Sequence, residues 1–390
     1  MKHLAKRTRG LVQSDIRAVS QMVDAVAGVN LGQGICDLPT PVELRAAAHT
    51  AIEEGRSTYS SYSGIPALRT FIRDKLQSFN RISRASEDEI VVSVGSTGAF
   101  AVALLSILDP ADEVILFEPY YGYHRHLILA TGGVPISIPQ RGPDWTVDFD
   151  ELESAVTPRT KAVIVTTPAN PHGKVWRRDE LISLQKVAER HDILMVTDEI
   201  YEYMVFDERE HVSMASLDGA YDRTITISGF SKTFNMTGWR LGYAAAPAPI
   251  IDKMGLLNDL FYICAPTPLQ HGVAAAAELG EDYYVRLKQD YTSKRELMCT
   301  TLEALGFDVP WPQGAYYVLA DFEKLSTSVA GLGDSRSACK TLIERCGVGT
   351  VAGSAFYSNP ADGRHKLRFC FAKEWDVLHD ACERLGRLVR

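Results

Sequence analysis

The sequence of 390 residues has no long hydrophobic run. No window approaches the roughly eighteen uninterrupted apolar residues that a membrane-spanning helix needs, so we expect no membrane association. The basic start at residues 2–9 is not followed by an apolar segment, which argues against a signal peptide. Internal repeats and low-complexity segments are also missing, so the chain does not read as a repeat protein or a disordered tail.

Positive charge is in short supply as well. Lys and Arg number 41 against 49 Asp and Glu, which gives a net charge of −8. The sequence contains no dense cluster of Lys and Arg. We therefore expect no nucleic-acid partner. The seven cysteines are scattered and form no CxxC pair. This usage predicts a reduced, cytoplasmic chain, and we expect no metal site.

What remains is an enzyme-sized globular chain. Its length fits two domains on a prior of about 150 residues per domain. Apolar residues make up 46% and charged residues 23% of the sequence, which is ordinary for a folded protein with an ample core.

One lysine stands out by its surroundings. Thr224–Ile227 reads as a β-branched strand and leads into Gly229-Phe230-Ser231, directly before Lys232. A lysine at the end of a buried strand is desolvated, which lowers its pKa and makes its amine a nucleophile for Schiff-base chemistry. Arg240 follows eight residues later and offers a planar fork for phosphate oxygens. A lone lysine in a loop more often neutralises a nearby carboxylate, so its context must decide.

The middle of the chain alternates strands with helices. Ala162–Thr166 and Ile193–Thr197 read as strands around a helix at Arg178–Arg190. This rhythm predicts a parallel sheet with right-handed crossovers. Ligands of such sheets bind beyond the carboxyl ends of the strands, where Asn170, Asp198 and Lys232 all fall. An isolated Asp after a strand is usually a cap or turn residue, and Glu199 and Glu202 stand nearby as alternatives.

A second turn could bind an anion. The strand Ile90–Val94 runs through Gly95-Ser96-Thr97-Gly98-Ala99 into an apolar helix at Phe100–Ile107. The free amides and positive dipole end of such a helix attract phosphate. The same residues also make many turns that bind nothing.

The run from Gly229 to Gly242, GFSKTFNMTGWRLG, resembles the lysine signature of the class I/II aminotransferases, which are pyridoxal-phosphate enzymes of fold type I. The resemblance covers about residues 30–380. It implies an α/β fold, with a mainly parallel seven-stranded sheet between helices in a large domain and a smaller α+β domain. We expect the large cofactor-binding domain at 31–280, and the small domain at 1–30 (an N-terminal arm) and 281–390.

The resemblance also implies roles for residues at matching positions. Lys232 would form the Schiff base with pyridoxal 5'-phosphate and move the substrate proton, with Asp198 and Tyr201 as the other catalytic residues. The cofactor would be bound by Tyr59, Ser96, Thr97, Gly98, Tyr121, Asn170, Asp198, Tyr201, Ser231, Lys232 and Arg240. Gly34, Asn170 and Arg368 would bind the substrate, with Arg368 on its α-carboxylate. A strand arginine is otherwise most often solvated.

Tyr59 carries a further implication. In the family a tyrosine at this place reaches the cofactor phosphate of the neighbouring subunit, so the resemblance implies a homodimer with shared active sites. Read without the family, Tyr59 is a half-buried aromatic residue with its hydroxyl in water.

Three positions depart from the family pattern. Cys36 and Ala352 stand where proline is common, and His124 stands where tyrosine is common. We expect the change at His124 to touch the substrate side of the site. Whether Tyr62, His124 or Tyr357 contacts the substrate stays open, as does the use of His124 or Arg125 for a distal carboxylate. Aromatic residues near the expected mouth suggest room for an apolar or aromatic substrate: Tyr62, Tyr121, Tyr123, Phe356 and Tyr357.

The expected reaction is transfer of an amino group between an L-α-amino acid and a 2-oxo acid. Elimination, replacement or cyclisation of an amino acid, as in a C–S lyase or an amino-acid cyclase, would use the same lysine, aspartate and arginine and is the alternative. A regulatory domain that only binds the cofactor is a third reading, which the missing basic DNA-reading module argues against.

Overall fold

The computed structural model describes residues 5–8, 11 and 16–389. Parts of the predicted N-terminal arm, at 1–4, 9–10 and 12–15, and Arg390 lie outside the described residues. None of the helices in the described part combines the length and apolar character needed to cross a membrane.

Helices and strands alternate through most of the chain. The α-helices are α1 Ile16–Ala25, α2 Val42–Glu53, α3 Pro66–Ser78, α4 Gly95–Ile107, α5 Gly122–Thr131, α6 Phe149–Ser154, α7 Arg178–Arg190, α8 Ala248–Tyr262, α9 Thr267–Ala274, α10 Glu281–Ala304, α11 Ser335–Cys346 and α12 Trp375–Leu385. The strands are β1 Val29–Asn30, β2 Ile90–Val94, β3 Glu113–Glu118, β4 Val134–Arg141, β5 Thr146–Val147, β6 Thr160–Thr166, β7 Leu194–Asp198, β8 Thr224–Gly229, β9 Leu241–Ala245, β10 Tyr317–Asp321, β11 Val348–Gly349, β12 Val351–Ala352 and β13 Lys366–Cys370.

The largest sheet has the strand order β2-β9-β8-β7-β6-β3-β4-β5. Strands β8, β7, β6, β3 and β4 pair in parallel, and β9 is antiparallel to both of its neighbours. The prediction of a mainly parallel sheet between helices is confirmed. The predicted seven strands are present, and the two-residue β5 extends the edge by pairing antiparallel with β4.

Burial explains why the sheet is parallel. The central residues of β3, β6 and β7 are mostly apolar and are buried on both faces of the sheet, as crossover helices require. Val163, Met195 and Ile225 have no exposed surface. The loops that follow β6, β7 and β8 therefore emerge together at one edge of the sheet.

A smaller set of strands lies after α10. Strands β10, β13 and β12 form an antiparallel sheet, and β1 pairs in parallel with β11. Their core, built on residues such as Val318 and Phe369, packs with α10, α11 and α12. The division at residue 280 falls one residue before α10 begins, and the two-domain boundaries given above stay a prediction.

The helix after β2 begins earlier than the sequence pattern predicts. The expected turn at Gly95–Ala99 is already the first part of α4. Gly95 has a φ of +70°, a conformation that glycine adopts at little cost, so the chain turns from strand to helix in a single residue. The helix amides thereby start directly at the edge of the sheet.

Candidate active site

A cavity of about 340 Å³ lies at the carboxyl ends of β6, β7 and β8. Residues from these strand ends, from α4, from the loop after β1 and from β13 meet around it. The cavity is lined by Gln33, Gly34, Ile35, Ser96, Thr97, Tyr121, Tyr123, Asn170, Asp198, Ile200, Tyr201, Ser231, Lys232, Thr237, Arg240, Tyr317 and Arg368. Eleven of the thirteen residues assigned from the sequence are in this set; Gly98 and Tyr59 are not.

Lys232 lies at the centre of the cavity wall, three residues after β8. Its Nζ donates a hydrogen bond of 3.0 Å to the carbonyl oxygen of Gly34. The rings of Tyr201 and Tyr316 lie 6.0 and 5.7 Å from the same nitrogen. Burial lowers the pKa of Lys232 to about 8, because the charged amine loses its hydration. The amine is thus available in its neutral form near physiological pH, as the sequence predicts.

One end of the cavity is built to receive an anion. Ser96 and Thr97 are in the first turn of α4, whose amide groups have no partner inside the helix. The Arg240 guanidinium lies so close to Gly95 that a Cβ there would be 2.5 Å from its Nη2. Arg240 also has a left-handed φ of 56°, which is costly for a residue other than glycine and often marks a functional position. Ser231 also lines the cavity and offers a hydroxyl group.

The opposite wall carries one carboxylate among aromatic and amide groups. Asp198 ends β7 and is 6% exposed. Nε2 of His124 lies 3.0 Å from Oδ2 of Asp198. Tyr121 packs edge-to-face on His124, and burial raises the pKa of Tyr121. Burial also raises the pKa of Tyr201 well above its usual value, so its hydroxyl keeps its proton.

Arg368 is the buried cation at the β13 side of the cavity. Its Nη1 donates to Oδ1 of Asn170 at 2.8 Å, and its Nη2 donates to the carbonyl oxygen of Gly32 at 2.6 Å. The guanidinium carbon lies 4.3 Å from the centre of the Tyr317 ring. The side chain is 2% exposed, and its Nε is buried without a hydrogen-bond partner. A buried guanidinium that still has a donor to offer is suited to a carboxylate ligand.

Gly34 lies so close to Tyr317 that any side chain at this position would displace the tyrosine hydroxyl. A Cβ at this position would lie 1.8 Å from the Tyr317 hydroxyl oxygen. The backbone at Gly34 therefore lies directly against the Tyr317 side chain, and both residues line the cavity.

Two assigned residues lie elsewhere. Gly98 belongs to α4 and does not line the cavity, so its contact with a cofactor stays a prediction. A Cβ at this position would lie 2.8 Å from Oγ of Ser93, so the glycine allows the helix to pack closely on β2. Tyr59 is 79% exposed and does not reach the cavity of its own chain.

The structure also places the three residues whose contact with the substrate was left open: Tyr62, His124 and Tyr357. His124 is buried behind Asp198, so the change at this position touches the carboxylate and not the substrate side. Tyr62 packs against Gly255 of α8. Tyr357 joins a small apolar cluster with Trp145 and lines a separate groove. None of the three lines the cavity.

Some lining residues were not assigned from the sequence. Gln33, Ile35, Thr237, Ile200 and Tyr317 all face the cavity. Strand alternation implies that one of the two tyrosines in Ala315-Tyr316-Tyr317 faces inward, but it does not say which one. Ile35 could have been found from its place beside Gly34.

A cluster outside the cavity has the side chains of a metal site. Ligand atoms of Glu199, Glu202 and His211 lie within 4.8 Å of one another. The ammonium group of Lys75, 2.5 Å from Glu202, already supplies a positive charge to this cluster. Asn80 donates to Glu202 at 2.7 Å. Glu199 and Glu202 thus belong to a buried ion-pair network, and Asp198 is the carboxylate at the cavity.

Comparison with known proteins identifies the class of enzyme. The family model described as aminotransferase class I and II matches residues 26–385. A probable N-succinyldiaminopimelate aminotransferase of Mycobacterium tuberculosis is 33% identical over 394 residues, which cover 98% of both chains. An aspartate aminotransferase of Pyrococcus abyssi is 32% identical over 379 residues, or 95% of both.

One solved structure has a similar fold along the full length of this chain. The structure of N-succinyldiaminopimelate aminotransferase from Mycobacterium tuberculosis has a TM-score of 0.94 at 32% identity and covers 99% of this chain and 100% of its own. The similar proteins transfer amino groups, so the elimination, cyclisation and regulatory alternatives are not favoured.

Proposed function

We infer the details of the reaction from the cavity described above. The chain belongs to the aminotransferases of class I and II and is therefore an enzyme that transfers amino groups. We propose that its cofactor is pyridoxal 5'-phosphate and that it works between an L-α-amino acid and a 2-oxo acid. The observation that carries the proposal is the partly buried Lys232, with a pKa of about 8, in one cavity with an anion-binding end and Arg368.

The residues of the cavity fit this cofactor. Ser96, Thr97, Ser231 and Arg240 would hold its phosphate, since they combine helix amides, hydroxyl groups and a guanidinium at one end. Tyr121 would face its ring, and Asn170 and Tyr201 would donate hydrogen bonds to its phenolic oxygen. The unpartnered Nε of Arg368 supports a carboxylate ligand at the other end.

When bound, pyridoxal phosphate supplies an electron sink that weakens bonds at the substrate Cα. The protein contributes orientation and proton transfer. Lys232 Nζ takes the proton from the substrate Cα as a general base and later returns a proton as an acid. Its lowered pKa suits both directions near neutral pH, because an acid–base group works best when its pKa is close to the pH of operation.

Asp198 would hold a proton on the ring nitrogen of the cofactor, since a buried carboxylate stabilises the positive charge beside it. The imidazole of His124, 3.0 Å away, fixes the orientation of that carboxylate. Tyr201, Asp198 and Lys232 are therefore the proposed catalytic residues.

Arg368 and Gly34 would bind the substrate α-carboxylate. Asn170 and the Gly32 carbonyl already hold two guanidinium nitrogens of Arg368, so the side chain is oriented before substrate arrives. A preoriented fork reduces the entropy lost when the carboxylate binds. Gly34 allows the chain to pass close to this site without a side chain in the way.

We propose that the amino donor has an uncharged side chain. Among the described residues, the cations that line the cavity are Lys232, Arg240 and Arg368, and each has a role above. His124 faces Asp198, and Arg125 does not line the cavity, so neither serves a distal carboxylate there. Ile35 and Tyr123 offer apolar surface to an aliphatic or aromatic side chain, whereas a carboxylate without a partner would be costly to desolvate.

We propose a homodimer in which Tyr59 completes the partner's phosphate site. Tyr59 is 79% exposed and does not line the cavity of its own chain, so its side chain is free to reach a second subunit. The segment that carries it also contains Tyr62, which packs on α8, and α8 exposes apolar residues that include Leu260 (75%) and Phe261 (53%). Such apolar surface on one chain is typical of an interface.

The seven free cysteines support a reducing, cytoplasmic setting.

Lys232→Ala tests the proposal as a whole. The variant should keep its fold, because the side chain makes a single hydrogen bond, and should lose amino transfer. Full turnover by this variant would remove the basis of the proposal.

A further inference from the structure

The segment Gly32–Asp37, here called the carboxylate loop, crosses the cavity between β1 and α2. Its carbonyl oxygens are held by side chains from distant parts of the chain. Arg368 donates to the carbonyl of Gly32, while Lys232 (3.0 Å) and the Tyr316 hydroxyl (3.1 Å) donate to that of Gly34. In the described structure, no backbone–backbone hydrogen bond involves residues 34–38. The position of the carboxylate loop therefore depends on side-chain contacts.

Lys373 makes the contacts at the far end of this loop. It lies three residues after β13 and is 6% exposed. Its Nζ lies 3.0 Å from Oδ1 of Asp37 and 3.3 Å from the carbonyl oxygen of Ile35. Because Arg368 belongs to β13 itself, one strand and its extension hold the loop at Gly32 and again at Ile35 and Asp37.

We propose that Lys373 is a positioning residue that fastens the carboxylate loop over Lys232 and Arg368. A buried ammonium group needs partners to offset its desolvation, and the partners within reach are the two oxygen atoms of the loop. Displacement of the loop would therefore leave the charge of Lys373 unpaired, so this ion pair favours the loop position seen in the structure. The loop carries Gly34 and Ile35, so its position sets where the substrate carboxylate and side chain bind.

The chain offers a matched control on the same strand. Lys366 pairs with Asp321 at 2.7 Å, and both side chains are about one quarter exposed. This pair joins β13 to β10 and does not line the cavity. Removal of either lysine breaks an ion pair and so affects stability in a similar way. Of these two lysines, only Lys373 contacts the carboxylate loop.

The experiment compares the holoenzyme with Lys373→Met, Lys373→Arg and Lys366→Met. Hydrogen–deuterium exchange of a peptide that includes residues 32–38 reports the loop through the amides of Gly32 and Gln33, which donate to Oδ1 of Asn30 at 2.9 and 3.2 Å. Lys373→Met should exchange faster there, Lys373→Arg should recover part of the protection, and Lys366→Met should match the wild type. Exchange in Lys373→Met equal to the wild type would overturn the proposal.

Steady-state kinetics test the consequence for catalysis, which rests on the proposed function. Loss of a hydrogen-bonded charge should raise the KM for the amino acid about 10-fold in Lys373→Met, with a smaller change in kcat. Lys366→Met should show the wild-type KM. Faster exchange with an unchanged KM would overturn the link between loop and substrate. If the wild type transferred no amino group, the proposed function would be wrong. The hydrogen–deuterium exchange result would still test whether Lys373 holds the carboxylate loop in place.

Discussion

Nε2 of His124 lies 3.0 Å from Oδ2 of Asp198, and the two side chains are only 3% and 8% exposed. The imidazole is packed between the rings of Phe100 and Tyr121, with centroid distances of 4.4 and 5.3 Å. The carboxylate that faces the cavity is therefore held from behind by a residue whose own orientation is fixed by aromatic packing.

The variant His124→Phe should lower kcat by roughly 10-fold or more, because a hydrogen bond to a charged group contributes about 1.5–3 kcal/mol. Phenylalanine keeps the aromatic packing and removes the hydrogen bond to Asp198. Single-turnover measurement with an amino acid would report the change. His126→Phe on the same helix is the control and should behave as the wild type. An unchanged rate in His124→Phe would show that Asp198 does not depend on the imidazole.

Attachment of pyridoxal phosphate to the cofactor-free protein should speed up as the pH rises through about 8. Burial disfavours the ammonium form of Lys232, so the neutral, reactive amine predominates above about pH 8 in the folded protein instead of above about 10.4. Stopped-flow absorbance across a pH series measures this midpoint. A midpoint near that of a free lysine would contradict the lowered pKa of the partly buried Lys232.

Amino donors with apolar or aromatic side chains should react better than aspartate, by about 10-fold or more in kcat/KM. The comparison needs phenylalanine, methionine and aspartate with one common acceptor. Ile35→Arg adds a cation at the half-exposed cavity wall and should raise the relative value for aspartate. Preference of the wild type for aspartate would mean that a cation reaches the site from outside the described cavity residues.

Tyr59→Phe should weaken cofactor binding about 10-fold through loss of a hydrogen bond to phosphate. Tyr62→Phe should not, because Tyr62 packs on α8 of its own chain. A mixed dimer of one Tyr59→Phe subunit and one Lys232→Ala subunit separates the two arrangements. If Tyr59 contributes to the partner's site, one of the two sites in this mixed dimer contains neither substitution and binds the cofactor with wild-type affinity. If instead the site that keeps Lys232 binds the cofactor weakly, Tyr59 belongs to the site of its own subunit.

The part of the site that the sequence predicts best follows from sheet geometry. Asp198 ends β7, and Asn170 and Lys232 closely follow β6 and β8. The apolar runs of these strands are visible in the sequence, and parallel strands end at one edge. Local pattern is sufficient there, because strand direction and chain order fix the position of each residue.

The sequence could not predict contacts that depend on packing across the chain. The burial of His124 behind Asp198 results from how α5 packs on the sheet. The inward direction of Tyr317 depends on the register of β10 with β13, and the reach of Lys373 to Asp37 joins residues 336 positions apart. Gly98 fits the phosphate-turn pattern, but the early start of α4 turns it toward Ser93.

The most direct test of the account locates the cofactor on the chain. The protein would be loaded with pyridoxal phosphate, reduced with borohydride, digested and examined by mass spectrometry. We predict that the cofactor is fixed to Lys232 alone, and that prior addition of an amino donor prevents this labelling while one equivalent of 2-oxo acid appears. Labelling at another lysine, or labelling of Lys232 that no amino acid prevents, would contradict the proposed site.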